Sequence, residues 1–314
     1  MRFIGPALLV LALAACGGNP LNNGGPGSGS SSGGGTTTTG GVTVPATLAK
    51  DLASASYDAT ADTLTVKMSS LDAGAVNAVY TRNAALDVPG FKAYSSQQSP
   101  LDRLFIALAA TTADGAVTAT VAGDGGQNNT YFSGTSFGRS GVASALPTSG
   151  EAKFAGSYAG LTNIAAPGNN LLAAPVGTDP SLLPSEAERT QGDGFLIVNF
   201  ADNAVNGTIY NRQFADGSGT LDSLALTPGT LDSNGQFTGT VEFSGRHDLG
   251  QQGNYGGALG GTGLTGAAGS VVMNSVYPSD NANFNSAQRE VGVFVLSSCA
   301  LAGAPAVCAA AQAP

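Results

Sequence analysis

Tryptophan is absent from this chain, histidine occurs once, cysteine three times, and charged residues make up only 11% of the 314 positions. Each shortage excludes something. A single histidine, His247, cannot build a multi-histidine metal centre, and as a haem or metal ligand it would stand alone. With so few charges, no long charged amphipathic helix is visible. The 12 Lys and Arg face 21 Asp and Glu, for a net charge of −9. A chain this acidic repels phosphate backbones, so nucleic acid is not an expected partner. What is plentiful is glycine, 46 residues of it, with Thr, Ser, Asn and Val. That mixture suits short strands and tight turns.

The chain opens with Arg2 and an apolar run, Pro6–Ala15. The run is too short to span a bilayer and has the layout of a secretory leader over residues 1–15. It ends Leu13-Ala14-Ala15-Cys16, which resembles the bacterial lipobox, where the lipidated cysteine becomes the new N-terminus. Loss of the leader removes Arg2 and no acid, leaving 11 basic and 21 acidic residues and a charge of −10. Residues 17–41 carry no charge and one large apolar residue, Leu21. They cannot bury enough surface to offset backbone entropy, so residues 16–42 are expected to be a lipidated cysteine and a disordered tether. A tether of this length reaches about 25–30 Å, enough to stand a domain off a lipid surface.

Two β-rich regions follow. Residues 43–146 are expected to form the smaller one. Thr63–Lys67, Ala75–Arg82 and Phe91–Tyr94 read as strands. Leu101–Ala110 fits a helix face or a strand face; strand is chosen, because Asp114-Gly115 signals a hairpin and Val117–Val121 returns. Residues 147–298 hold eight strand-like segments: 152–160, 194–200, 205–211, 221–227, 235–244, 253–261, 267–276 and 290–298. In Gln236–Phe243, Phe237, Val241 and Phe243 alternate with Thr238, Thr240 and Glu242, the mark of a half-buried strand. Residues 161–193 read as a long loop with at most a short helix near Ser185–Arg189. Eight strands is the smallest number that closes a barrel filled by its own side chains. The expected fold is therefore all-β: an eight-stranded antiparallel soluble barrel behind a smaller β-rich domain. The glycines at 156, 160, 207, 239, 256 and 257 are expected to mark bends in it.

Several of these segments carry a resemblance. Tyr255–Gly261, Ala267–Val272 and Arg289–Val295 are similar to the closing barrel strands of the transferrin-binding lipoproteins and their surface-lipoprotein relatives. Phe154–Gly160 and the Val198–Gly207 hairpin resemble the same family's barrel. The likeness covers roughly residues 150–298. It implies a lipid-anchored barrel with a β-rich handle, displayed on the outer membrane of Gram-negative bacteria. Transferrin binders have two such lobes, and this chain has length for one. Transferrin itself and any ligand-binding residue are therefore not carried over.

Few residues invite chemistry. Cys299 and Cys308 remain after lipidation, and in an exported protein they are expected to pair and pin a tail over 299–314. Gly134-Thr-Ser136-Phe-Gly138 matches a nucleophile pattern with His247 downstream, but no helix follows Ser136 as the elbow requires. Asp124–Asn129 could hold Ca²⁺ and reads first as a turn. No cofactor, metal or catalytic residue is assigned. The expected protein is a monomeric, non-enzymatic binding lipoprotein that takes a protein or small-molecule ligand on its loops. A structural or adhesive envelope lipoprotein is the alternative, and a serine hydrolase using Ser136 a remote one. Cys16→Ser should abolish metabolic labelling by palmitate and release the protein in soluble form; unchanged labelling would refute the anchor.

Overall fold

The computed structural model describes residues 38–58, 60–69 and 75–310. A hairpin of β1 (Thr38–Thr39) and β2 (Val42–Thr43) leads into the one-turn helix α1 (Ala46–Ala49). Seven strands then run as an antiparallel meander, the handle: β3 (Leu52–Asp58), β4 (Thr63–Met68), β5 (Val76–Arg82), β6 (Lys92–Ser96), β7 (Phe105–Thr111), β8 (Val117–Asp124) and β9 (Ser133–Arg139). Eight more close into an antiparallel barrel: β10 (Glu151–Ala165), β11 (Ala187–Asn199), β12 (Ala204–Phe214), β13 (Leu224–Leu231), β14 (Gln236–Phe243), β15 (Gly253–Gly260), β16 (Gly266–Met273) and β17 (Glu290–Ser298). A short helix, α2 (Ala306–Ala310), lies beyond the barrel.

Every segment expected as a barrel strand contains one, and Leu101–Ala110 resolves to strand from Phe105 on. Two expectations need correction. The segment near Ser185–Arg189 is not helical. Ala187 starts β11 and pairs with Ala165, because β10 extends well past residue 160. Pairing with a long neighbour overrides local propensity there, and the loop's one helical turn is Pro180–Leu182, capped by Asp179. Residues 38–42 are not tether either. Val42 is fully buried, Thr43 N donates to Gln236 Oε1 at 2.9 Å, and Arg139 donates to Gly40 O.

The barrel interior is apolar and packed. Phe237, Val241 and Phe243 point inward with 2% exposure or less, as the alternation required. Most of the strand glycines are explained by close approach. A Cβ on Gly257 would come within 2.4 Å of the Phe237 ring, one on Gly269 within 2.4 Å of Phe294, and one on Gly239 within 2.4 Å of Tyr255. Each of these rings sits directly opposite its glycine in the strand register. Phe237 and Phe294 then stack, with centroids 6.5 Å apart. Towards the opposite end the core turns polar. Glu290 is paired with Arg212 and accepts hydroxyl hydrogen bonds from Tyr158 and Thr190, both at 2.8 Å. All four residues are buried. Burial pushes the Tyr158 hydroxyl's pKa up.

The handle packs on the barrel's outside. Ile106, Leu108, Val117, Val121 and Phe137 form one apolar cluster with Ala258, Ala268, Val291 and Val293 of the barrel. So β15, β16 and much of β17 are buried on both faces. The small residues of Gly253–Gly260 fit between two layers. Phe237→Ala should lower the unfolding free energy by about 3–5 kcal/mol through the cavity it leaves. Thr238→Ala, at an exposed position, should change it by less than about 0.5 kcal/mol. Denaturant titration of the two variants distinguishes them, and equal losses would contradict an inward-facing Phe237.

Candidate functional site

An antiparallel meander of seven strands has its first and last strands parallel. Closing it would need a parallel pairing, and no ladder joins β3 to β9 among the described residues. One end is nevertheless shut. Asp51 N donates to Ser133 O at 3.1 Å, Ser133 N donates to Asp51 Oδ2 at 3.0 Å, and Thr135 Oγ1 donates to Leu48 O at 2.8 Å. A Cβ on Gly134 would lie 2.2 Å from Ala49 O, so this contact needs a glycine. Below it Leu52, Val66, Met68, Tyr80, Ala107 and Ala122 fill the roll.

The other end is open and holds a cleft of about 680 Å³, within the usual range of about 300–1,000 Å³ for small-molecule sites. Ala55 and Tyr57 of β3 stand on one side, and Ser136 and Arg139 of β9 on the other. Leu64, Phe91 and Tyr94 supply most of the apolar wall. The Tyr57 and Tyr94 rings meet edge to face at 6.2 Å, and both hydroxyls donate to Asp62 Oδ1, at 2.9 and 3.2 Å. The Tyr57 bond is the main cause holding the Asp62 carboxyl below its ordinary pKa. Arg82 makes a two-pronged pair with Asp87, at 2.7 and 2.5 Å, and lies over the Tyr94 ring.

Thr111, Thr118, Thr120 and Ser136 line the remaining wall. Thr111 Oγ1 donates to Val117 O at 2.9 Å. Thr120 and Ser136 are 8% and 7% exposed, and their hydroxyls have no hydrogen-bond partner among the described residues. The alternation of Val117-Thr-Ala-Thr-Val121 carried this signal: its apolar side meets the barrel and its threonine side faces the cleft. No motif marked Lys92, Thr120 or Ser136 as a group, because three different strands bring them together.

Arg139 fixes the junction beside the cleft. Its guanidinium donates to Gly40 O at 3.2 Å, Asn234 O at 2.6 Å and Leu259 O at 2.9 Å, joining the N-terminal hairpin, the β13–β14 turn and β15. Burial lowers its pKa. A second cavity of about 370 Å³ lies nearby between Pro45, Phe137 and Phe237, but it offers fewer polar groups.

The residues singled out in the sequence fall elsewhere, apart from Ser136. Cys16 lies outside the described residues. Cys299 and Cys308 form a disulfide, and Cys308 packs with Ala155 and Phe195 to hold the tail on the barrel. Ser136 sits inside β9 opposite Thr120, with neither elbow nor base beside it. His247 lies on an exposed turn of the barrel, its Nδ1 2.6 Å from Glu242 Oε2. The hydrolase arrangement is therefore not formed. Asp124 is buried and paired with Arg103, and it accepts from Phe132 N at 2.9 Å. Burial pushes its carboxyl up against those two partners. The Asp124–Asn129 segment is a tight turn, closed by the Gln127–Thr130 bridge.

No protein-family model and no curated protein matches the chain. Solved structures do. Transferrin-binding protein B of Haemophilus parasuis Hp5 is similar at 14% identity and a TM-score of 0.40, over 83% of this chain and 46% of that one. The intact two-lobed Ap-TbpB is similar at 12% identity and a TM-score of 0.38, over 82% and 46%. A surface lipoprotein is similar at 15% identity and a TM-score of 0.34, over 78% of this chain and 96% of its own. The chain thus spans about half the length of the transferrin-binding proteins it matches. At such identities and TM-scores the likeness carries nothing about ligand or activity, and the handle-and-barrel architecture rests on the strand pairing above.

Arg139→Met should cost about 2–4 kcal/mol, since three charged hydrogen bonds are lost and the buried Leu259 carbonyl loses its partner. Chemical denaturation would measure it, and a loss under about 0.5 kcal/mol, the size of an ordinary surface change, would remove Arg139 from the junction.

Proposed function

We propose that this chain is a lipid-anchored binding protein of a Gram-negative outer membrane, without catalysis, that captures a small, largely apolar ligand in the open end of its handle. The observation that carries the reading is the cleft itself. Aromatic and aliphatic walls surround the Thr120 and Ser136 hydroxyls, which have no partner among the described residues. A ligand entering the cleft strips water from these hydroxyls, so one that hydrogen-bonds them is favoured over one that does not. The lipobox before Cys16 and the neutral segment after it support display on a membrane surface. The barrel and the disulfide-held tail serve as the scaffold.

A second reading, capture of a protein on the loops, has its own observation. Leu172, Val176, Leu182 and Leu183 are exposed on the β10–β11 connection. They lie at the shut end of the handle, where Gln127 Nε2 donates to Leu182 O and Ser185 N to Gly126 O. The two sites sit at opposite ends of the handle and are separable by mutation.

The test uses the full chain carrying Cys16→Ser, purified from its native host and examined by native mass spectrometry. One small molecule per chain should be retained, and Ala109→Phe, which fills the cleft, should abolish retention. A ligand-free protein that also fails to bind the uncharged probe 1-aminoanthracene would refute the cleft as a binding site and favour a structural role in the envelope.

A further inference from the structure

The polar groups of the cleft lie on one line. The strand register sets Lys92 of β6 opposite Ala109 of β7, Ala109 opposite Thr120 of β8, and Thr120 opposite Ser136 of β9. Neighbouring strands are about 4.8 Å apart, so this row crosses the inner face as ammonium, methyl, hydroxyl, hydroxyl. All four residues line the cleft. Ala109 leaves space above the sheet for the lysine stem to lean across. Such stems lie readily along apolar surface while the head stays polar.

Around the cleft three cations, Arg82, Lys92 and Arg139, stand with two carboxylates, Asp62 and Asp87. Arg82 is matched by Asp87. Asp62 is engaged by the Tyr57 and Tyr94 hydroxyls. Among the described residues the exposed Lys92 makes no ion pair and no hydrogen bond, although its charge acts on Asp62 and Asp87; Arg139 hydrogen-bonds only carbonyls and lies in the field of Asp232. The row therefore carries one exposed ammonium and two hydroxyls open to the cleft, with the buried Arg139 guanidinium beside it. Facing it are the apolar surfaces of Leu64, Phe91 and Tyr94.

We infer that the ligand is an amphipathic monoanion: an apolar body ending in one carboxylate, with its head on Lys92, Thr120 and Ser136. This rests on the cleft being the ligand site proposed above. Hydroxyl donors and one ammonium suit a carboxylate, because hydrogen bonds to a charged acceptor are roughly twice as strong as neutral ones. A cationic head would meet Lys92 and the Arg139 field. An uncharged head would gain no charge-assisted bond from Lys92.

The experiment displaces bound 1-aminoanthracene from the full chain carrying Cys16→Ser. The competitors are dodecanoate, 1-dodecanol and dodecyltrimethylammonium. Dodecanoate should displace the probe at about tenfold lower concentration than 1-dodecanol, the size of one charge-assisted contact. The cation should be weakest. Lys92→Met should weaken dodecanoate about tenfold and leave 1-dodecanol unchanged. Thr120→Val with Ser136→Ala should also narrow the gap between acid and alcohol, with circular dichroism confirming the fold. Equal displacement by acid and alcohol, or a preference for the cation, would overturn the inference while leaving the cleft as a binding site. Failure of the probe itself to bind would remove the cleft, and this proposal with it.

Discussion

The contact on which the barrel depends is an aromatic ring lying flat against a glycine on the next strand. An eight-stranded barrel has just enough interior for side chains to fill it, and a row of large rings opposite large neighbours would not fit. Phe237 over Gly257, Phe294 over Gly269 and Tyr255 over Gly239 solve the volume problem one pair at a time. Tyr158 does the same over Gly292, which brings its hydroxyl to Glu290. The rings also fix register. A one-residue slip would set Tyr255 against a threonine and Phe294 against Ala268 or Ser270 instead of a bare backbone, and it would turn the inward face out.

Small residues next to these glycines serve the barrel's outer surface. Ala258, Ala268 and Gly256 lie where the handle or α1 packs down, so β15 and β16 are squeezed from both sides. This explains a composition that would be poor for a strand exposed to solvent or lipid. It also places the handle. With the outer face of β7–β9 committed to the barrel, the inner face of the roll is left for other purposes. Val117, Ala119 and Val121 face the barrel while Thr118 and Thr120 face inward.

Strand number then decides where the roll can open. Seven antiparallel strands leave parallel edges, and one end is shut by backbone contacts around Asp51, Ser133 and Gly134. The other end stays apart and becomes a cleft with hydroxyls in its wall. Loops and edges supported by a rigid scaffold are where binding sites are commonly found. Here the scaffold is the barrel, and Arg139 joins it to the cleft by way of three carbonyl groups.

Much of this was legible in the residues alone. Period-two alternation and turn signals located all eight barrel strands, and the inward set of Phe237, Val241 and Phe243 followed from the alternation. Two cysteines a short distance apart, Cys299 and Cys308, read correctly as a disulfide. These are local properties, set by which side of a strand a residue occupies or how near two thiols lie in the chain. The extension of β11 back to Ala187 was hidden, because its partner on β10 lies more than twenty residues away. The packing of Val42 into the core was hidden for the same reason. The cleft was hidden most completely. Lys92, Thr120 and Ser136 are apart in sequence, carry no motif in common, and share a row only because three strand registers align them. Local pattern determined the strands; long-range pairing alone decided which side chains meet.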